Sequence, residues 1–166
     1  GLLGARPKVG YYCTGKDPTD LIAGVLGNIR VEDIQSRPIV VRETFSVYDT
    51  IVTMFIEDVG TVFVVSEGGY LDGVVSRKDL LKATMGNKNI NEMPVGIVMT
   101  RMPNIIMTSP QESVLRASKK LISHEVDSLP VVEAVQEENQ EKYTVVGRFS
   151  KTNITRLFVQ LVDNKV

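Results

Sequence analysis

The chain has a single cysteine, Cys13, a single histidine, His124, and no apolar run of membrane-spanning length. A lone cysteine excludes an intrachain disulfide, and one histidine without a second thiol leaves no zinc-ligand set, so no metal is expected. Both absences suit a reducing, cytoplasmic setting. A bilayer span takes roughly 20 apolar residues and a secretory signal takes a charged start followed by an apolar core. Neither pattern occurs, so a soluble protein without membrane contact is expected. An excess of charge is missing too: 19 Lys and Arg stand against 20 Asp and Glu, a formal net charge of −1. No global field therefore draws the chain to DNA or to an anionic surface. The start, Gly1-Leu2-Leu3-Gly4 without methionine, leads to the expectation of a fragment with a partner domain upstream.

What is present is an internal repetition. The 166 residues, 43% of them apolar, can bury one core or two small cores packed together. Adding 67 to the numbers of Ser46-Val47, Ile51, Met54, Phe55 and Thr61-Val62-Phe63-Val64-Val65 lands on Ser113-Val114, Ser118, Leu121, Ile122 and Ser128-Leu129-Pro130-Val131-Val132. Polarity mostly survives the shift. Further on, Gly73-Val74-Val75-Ser76-Arg77-Lys78-Asp79 matches Gly147-Arg148-Phe149-Ser150-Lys151-Thr152-Asn153 at an offset of 74. The difference is a loop insertion between Glu133 and Val146, whose Glu137, Glu138 and Glu141 read as a solvated hairpin extension.

Each copy reads as strand, helix, strand, strand, helix. An extended apolar segment, Ile39-Val40-Val41 or Ile105-Ile106-Met107, precedes a helix with an apolar face of Val47, Ile51, Met54 and Phe55, or of Val114, Leu121 and Ile122. Buried strands follow at 62–65 and 129–132, then a turn, with Gly68-Gly69 in the first copy, and strands around Val74-Val75 and Val145-Val146. The closing helix starts at Ser76 or Ser150 and shows Leu80, Leu81 and Ala83, or Ile154, Leu157, Phe158 and Leu161. Ahead of the first copy, Asp17-Pro18-Thr19-Asp20 caps a helix bearing Leu21, Ile22, Val25 and Leu26. Gly86-Asn87-Lys88-Asn89 is a polar breaker between copies, followed by the short segment 95–99.

Two units of this order, each with Gly-x-x-Ser-x-x-Asp or Asn, resemble a tandem CBS domain pair, the Bateman module, over about residues 31–161. The resemblance implies an α+β (α/β-like) fold, two repeats of β-α-β-β-α order packed with pseudo-twofold symmetry. Residues 1–30 would be a linker segment and helix, 31–92 the first repeat and 93–166 the second. More narrowly, Ala5-Arg6-Pro7-Lys8-Val9-Gly10-Tyr11-Tyr12 and the stretch 147–158 resemble the catabolite-control repressors of gluconeogenic genes in Gram-positive bacteria. In that family a helix-turn-helix precedes the pair. The resemblance thus implies a sensor of an adenine nucleotide (AMP, ADP or ATP), a homodimer or higher homo-oligomer joined through its helices, and DNA contact only through an upstream domain.

The chemistry of the motif can be argued from its residues. Where a strand hands over to a helix, first-turn N–H groups are unpaired and the helix dipole favours an anion. Gly73 allows close approach, the Ser76 hydroxyl can join those N–H groups on a phosphate, and the Asp79 carboxylate can accept from two ribose hydroxyls. The resemblance extends these roles to Gly147, Ser150 and Asn153. It lays the base against Ile39, Val40, Gly60 and Thr61, or Ile106, Asp127, Ser128 and Leu129. Asn153 lacks charge-assisted acceptance, which ranks its crevice lower. Arg77, Lys78, Arg101, Arg148 and Lys151 read as solvated charges by default, though Arg77, Lys78 and Lys151 flank the phosphate end and belong to the expected site.

Plainer readings stand beside these. Ser76 with Asp79 three residues on is also an ordinary helix start. His124 caps a helix, Cys13 is a small half-buried residue, Tyr11-Tyr12 seals a linker, and Met85, Met93, Met99, Met102 and Met107 pack the repeat junction. No nucleophile and base occur together, so no enzyme is expected. A CBS pair regulating an attached enzyme or transporter, or a ligand-free dimerisation module, are the alternatives.

Overall fold

The computed structural model describes residues 18–86 and 89–163. Tyr11-Tyr12, Cys13, the Asp17 cap and Asn87-Lys88 lie outside them. The first half runs α1 (Pro18–Asn28), α2 (Val31–Ile34), β1 (Val40–Val41), α3 (Val47–Glu57), β2 (Thr61–Val65), β3 (Leu71–Ser76) and α4 (Arg77–Gly86). After a 3₁₀ turn at Val95–Ile97 come β4 (Thr100–Arg101), α5 (Val114–Ser123), β5 (Ser128–Glu137), β6 (Gln140–Ser150) and α6 (Lys151–Asp163). This is the expected mixed α+β repetition, and helices α3 and α5 begin 67 residues apart while α4 and α6 begin 74 apart.

Local chemistry places the ends. Ser46 Oγ accepts from Asp49 N at 2.9 Å and Ser113 Oγ from Arg116 N at 3.1 Å, so both helices carry a side-chain cap. Asp58 and Glu125, also 67 apart, both adopt positive φ (53° and 54°) just past those helices. Strand β2 is buried throughout, which its apolar run requires. It lies between β1, parallel, and β3, antiparallel, and β4 adds to the far edge of β3.

The two repeats exchange their leading segments. Thr100 pairs with Val74 of the first repeat, whereas Ser36 N donates to Arg148 O and Arg148 N to Ser36 O, both at 2.8 Å. Apolar burial follows: Val95 and Met99 close the core of Val47, Met54, Val62, Val75 and Leu80, while Leu26 and Val31 close that of Val114, Leu121, Leu129, Phe149 and Leu157. Phe63, Leu71, Ile105 and Val132 join the two cores. Neither repeat completes its interior without the chain that leads into the other.

Several expected faces turn out differently. Helix α3 buries Val47, Thr50 and Met54, one stripe at helical spacing, leaving Phe55 86% exposed. Ile122, Leu81 and Met85 are exposed for the same reason, and of the α1 stripe only Leu26 is buried. One core takes one stripe, so the second apolar stripe of each helix faces outward. Residues 105–107 form no strand; the contact there is an isolated bridge, Thr108 to Val131. The hairpin extension is solvated as expected, turning at Glu138 and Asn139. His124 ends α5, exposed, with Nδ1 3.1 Å from Ser123 Oγ and from Lys120 O.

Candidate functional site

Strand β3 delivers Ser76 and the first turn of α4 delivers Asp79. Asp79 Oδ2 accepts from Ser76 N at 2.9 Å and Ser76 Oγ at 3.0 Å, while Ser76 Oγ is 3.3 Å from Asp79 N. The plain capping reading is therefore realised, and it uses one carboxylate oxygen. Oδ1 has no hydrogen-bond partner among the described residues.

Ser76 and Asp79 open into a crevice of about 170 Å³ that also receives Ile106 and Ser128 from the second repeat. Four expected site residues thus meet across the repeat junction. Val74, Ile105, Val126 and Pro130 supply apolar walls, and Thr100 and Asn104 supply further polar groups. Apolar walls with a few polar groups suit a base attached to a sugar.

The equivalent position in the second repeat borders a polar cavity of about 260 Å³ with Ile34, Gln35, Ser36 and Arg156, but its motif side chain is occupied by the protein itself. Asn153 is 3% exposed; its Oδ1 accepts from Ser150 N at 2.8 Å and Ser150 Oγ at 3.0 Å. Its Nδ2 donates to Ile34 O at 2.9 Å and Ser36 Oγ at 2.8 Å. The carboxamide is committed at both ends to structure.

Other expected residues fall into three places. Gly60, Arg77, Asp127, Ser150 and Lys151 line a separate polar cavity with Arg148, and Ser128 borders both cavities. Ile39, Thr61 and Leu129 are buried, Ile39 and Leu129 in the two repeat cores, while Val40 and Lys78 are exposed. Gly73 and Gly147 admit neighbouring protein at close range: a Cβ on Gly73 would collide with Met99 Sδ and lie 3.0 Å from Thr100 O, and one on Gly147 would lie 2.7 Å from Gln35 Cδ. Close approach is needed there, but by the exchanged segments.

Arg148 corrects the solvated reading. Burial first, then Arg156 and Arg37, hold its pKa below the usual guanidinium value, against an opposing pull from Glu57. Its Nε is buried without a partner. Thr100, Asn104, Val126 and Pro130 were not read from the sequence as site residues. One signal was available for Thr100: Val31, Ile34, Ser36 and Arg37 repeat as Val95, Val98, Thr100 and Arg101 at an offset of 64.

Two capped strand-to-helix units that complete each other's cores around a shared crevice define a tandem CBS pair. The chain belongs to the CBS domain family, whose model matches residues 31–86 and 90–160. It is similar to the transcriptional repressor CcpN of Bacillus subtilis (strain 168), with 46% identity over 166 residues, all of this chain and 76% of that protein. Among solved structures it resembles the CBS domain pair of protein MJ0100 in complex with 5′-methylthioadenosine and S-adenosyl-L-methionine, at 26% identity and a TM-score of 0.64, covering 79% of this chain and 96% of that one. CBSX2 in complex with AMP shares the fold at 23% identity and a TM-score of 0.64, covering 81% of this chain and 98% of that one.

Proposed function

We propose that this chain is the adenine-nucleotide-sensing CBS pair of a transcriptional repressor that works in the cytoplasm, with DNA contacted through a domain outside this chain. The observation that carries the reading is the crevice lined by Ser76 and Asp79 together with apolar residues of both repeats, Asp79 having one carboxylate oxygen without a partner among the described residues. Asp79 Oδ1 accepts the ribose hydroxyls, and Val74, Ile106, Val126 and Pro130 hold the adenine. The similarity to CcpN supports the repressor role, and the adenosine ligands of the MJ0100 pair support the ligand class. Because the crevice spans the junction, a ligand there favours one mutual orientation of the repeats, by as much as its affinity differs between the two.

Regulation rather than catalysis is the role. No helix among the described residues is long and apolar enough to cross a membrane. The outward stripe of Phe55 and Leu81, which borders a cavity of about 500 Å³ between α3 and α4, is covered by a second copy of the chain in a homodimer. A nucleotide panel against the melting temperature tests the sensor reading. A ligand bound only by the folded form adds RT ln(1 + [L]/Kd), about 2.7 kcal/mol at a hundredfold excess over Kd. A rise is expected with at least one adenine nucleotide. No rise with millimolar AMP, ADP, ATP or S-adenosylmethionine overturns it.

A further inference from the structure

The two repeats hold their leading apolar segments by different means. In the first, Val40 and Val41 pair with Phe63 and Val64 as the parallel strand β1, and Phe63 N donates to Ile39 O at 3.0 Å. The residue 67 positions after Phe63 is Pro130, which has no N–H. The matching bond to Ile106 O cannot form, and the pairing of β5 with this segment shrinks to the bridge between Thr108 and Val131. Ile105, Ile106 and Pro130 all line the crevice at Asp79, so the loosened stretch is a wall of that crevice.

A side chain takes over from the missing ladder. Lys120, on α5, donates from Nζ to Met107 O and to Glu112 Oε1, both at 2.8 Å, and Glu112 Oε1 also accepts from Thr108 Oγ1 at 2.7 Å. The lysine side chain is 32% exposed and the glutamate 15%, so the pair is partly shielded from the solvent screening that weakens surface ion pairs. The counterparts of Thr108, Glu112 and Lys120 in the first repeat are Val41, Phe45 and Thr53, which can form no ion pair. The loop that carries Glu112 also receives the start of α2: Val31 N donates to Glu112 O at 2.9 Å and Glu32 N to Pro110 O at 3.0 Å.

We propose that Lys120 is a positioning residue: with Glu112 it holds residues 105–107 as the crevice wall in place of the strand that Pro130 prevents, and it couples that wall to α2 and so to the helix α1 that leads into the pair. A nucleotide pressed against Ile106 then acts on Glu112 through Met107 and Lys120, and on Val31 through the Glu112 main chain. The part concerning the ligand rests on the proposed sensing of an adenine nucleotide; the holding of the wall does not.

Amide exchange on the unliganded chain and calorimetry with AMP, ADP and ATP, on the wild type, Lys120→Met, Lys120→Arg and Glu112→Gln, test both parts. Loss of a charge-assisted hydrogen bond in Lys120→Met is expected to speed exchange about tenfold at Thr108 and severalfold at Val31 and Glu32, with residues 62–65 of the first core unchanged. The nucleotide that binds the wild type binds Lys120→Met severalfold more weakly, and Lys120→Arg, which keeps the charge and the donors, restores both readings. Should Lys120→Met not fold, Glu112→Gln, which keeps an acceptor for Thr108 and removes the charge pair, carries the comparison. Wild-type exchange at Thr108 in the folded variants overturns the holding role. Wild-type nucleotide affinity despite faster exchange overturns the positioning role, and unchanged exchange at Val31 and Glu32 overturns the coupling. If the wild type binds no AMP, ADP or ATP, the sensing reading fails, and the exchange pattern still decides whether Lys120 holds the wall.

Discussion

The Tyr70 hydroxyl donates to Glu137 Oε2 at 2.7 Å, and Lys142 Nζ stands 5.0 Å from the centre of the same ring. The turn of the first hairpin is thereby tied to the extension of the second, next to a bridge between Tyr70 and Thr144. The hydrogen bond to Glu137, then burial, then that carboxylate's charge raise the phenol above its ordinary 10.0. Folding favours the protonated phenol, so the contact is present below pH 10.0 and is lost as pH rises through the raised value. Tyr70→Phe is expected to speed amide exchange severalfold over residues 133–145. Unchanged exchange would mean that the extension is held by its own strand pairing.

Asp79 and Asn153 occupy equivalent motif positions with different work to do. Asn153→Ala leaves Ser150 N, Ile34 O and Ser36 without their buried partner, an expected loss of about 3 kcal/mol of unliganded stability. Asp79→Ala removes a partly buried cap, expected to cost about 1 kcal/mol, and weakens nucleotide binding more than Asn153→Ala does. Denaturant melts and calorimetry on both variants check this order. A reversal of the stability order would place the structural role at the wrong copy.

Gly73→Ala is expected to destabilise more than Gly147→Ala. The added methyl on Gly73 meets the Thr100 backbone carbonyl at 3.0 Å, which cannot move without breaking the exchanged segment, whereas the atoms nearest to one on Gly147 belong to the end of the Gln35 side chain. Overpacking of this kind costs about 1–3 kcal/mol. Equal melting temperatures for the two variants would show that the exchanged segment yields.

Asp72 supplies a pH dependence. Burial first, then Glu43, raise its carboxyl above 3.8, with Arg101 and Lys142 pulling the other way. The folded state therefore binds this proton more tightly than the unfolded state, and stability falls as pH rises from 3.8 through the raised value. Asp72→Asn should raise the melting temperature at pH 7, with the difference shrinking toward pH 3. A gain that is the same at both pH values would rule out ionisation as its cause.

The repetition was legible because its signals are local: a serine cap at 46 and 113, an apolar strand 15 residues after each, and a capped helix after the second strand. The same signals singled out Ser76 and Asp79, while the resemblance offered Ile106 and Ser128 as one of two alternative base contacts; that these four line one crevice came from the structure. Phe55, Ile122 and Leu81 were misread because periodicity marks every apolar stripe of a helix and does not say which one a core will take.

What the sequence by itself determined is therefore the doubled helix, strand, strand, helix order, the hairpin extension and the motif that holds Asp79, all of which follow from spacing, capping and period, whereas the strand expected at 105–107 did not form. Only the tertiary structure decided that Val95 and Met99 close the first core and Val31 the second. It also decided that Asn153 is saturated by Ile34 and Ser36, and that Arg148 is half-buried with its Nε buried and unpartnered. Those outcomes depend on contacts such as Val74 with Thr100, 26 positions apart, and Asn153 with Ser36, 117 apart, whose partners are chosen by how the two repeats complete each other's cores, and no local pattern carries that choice.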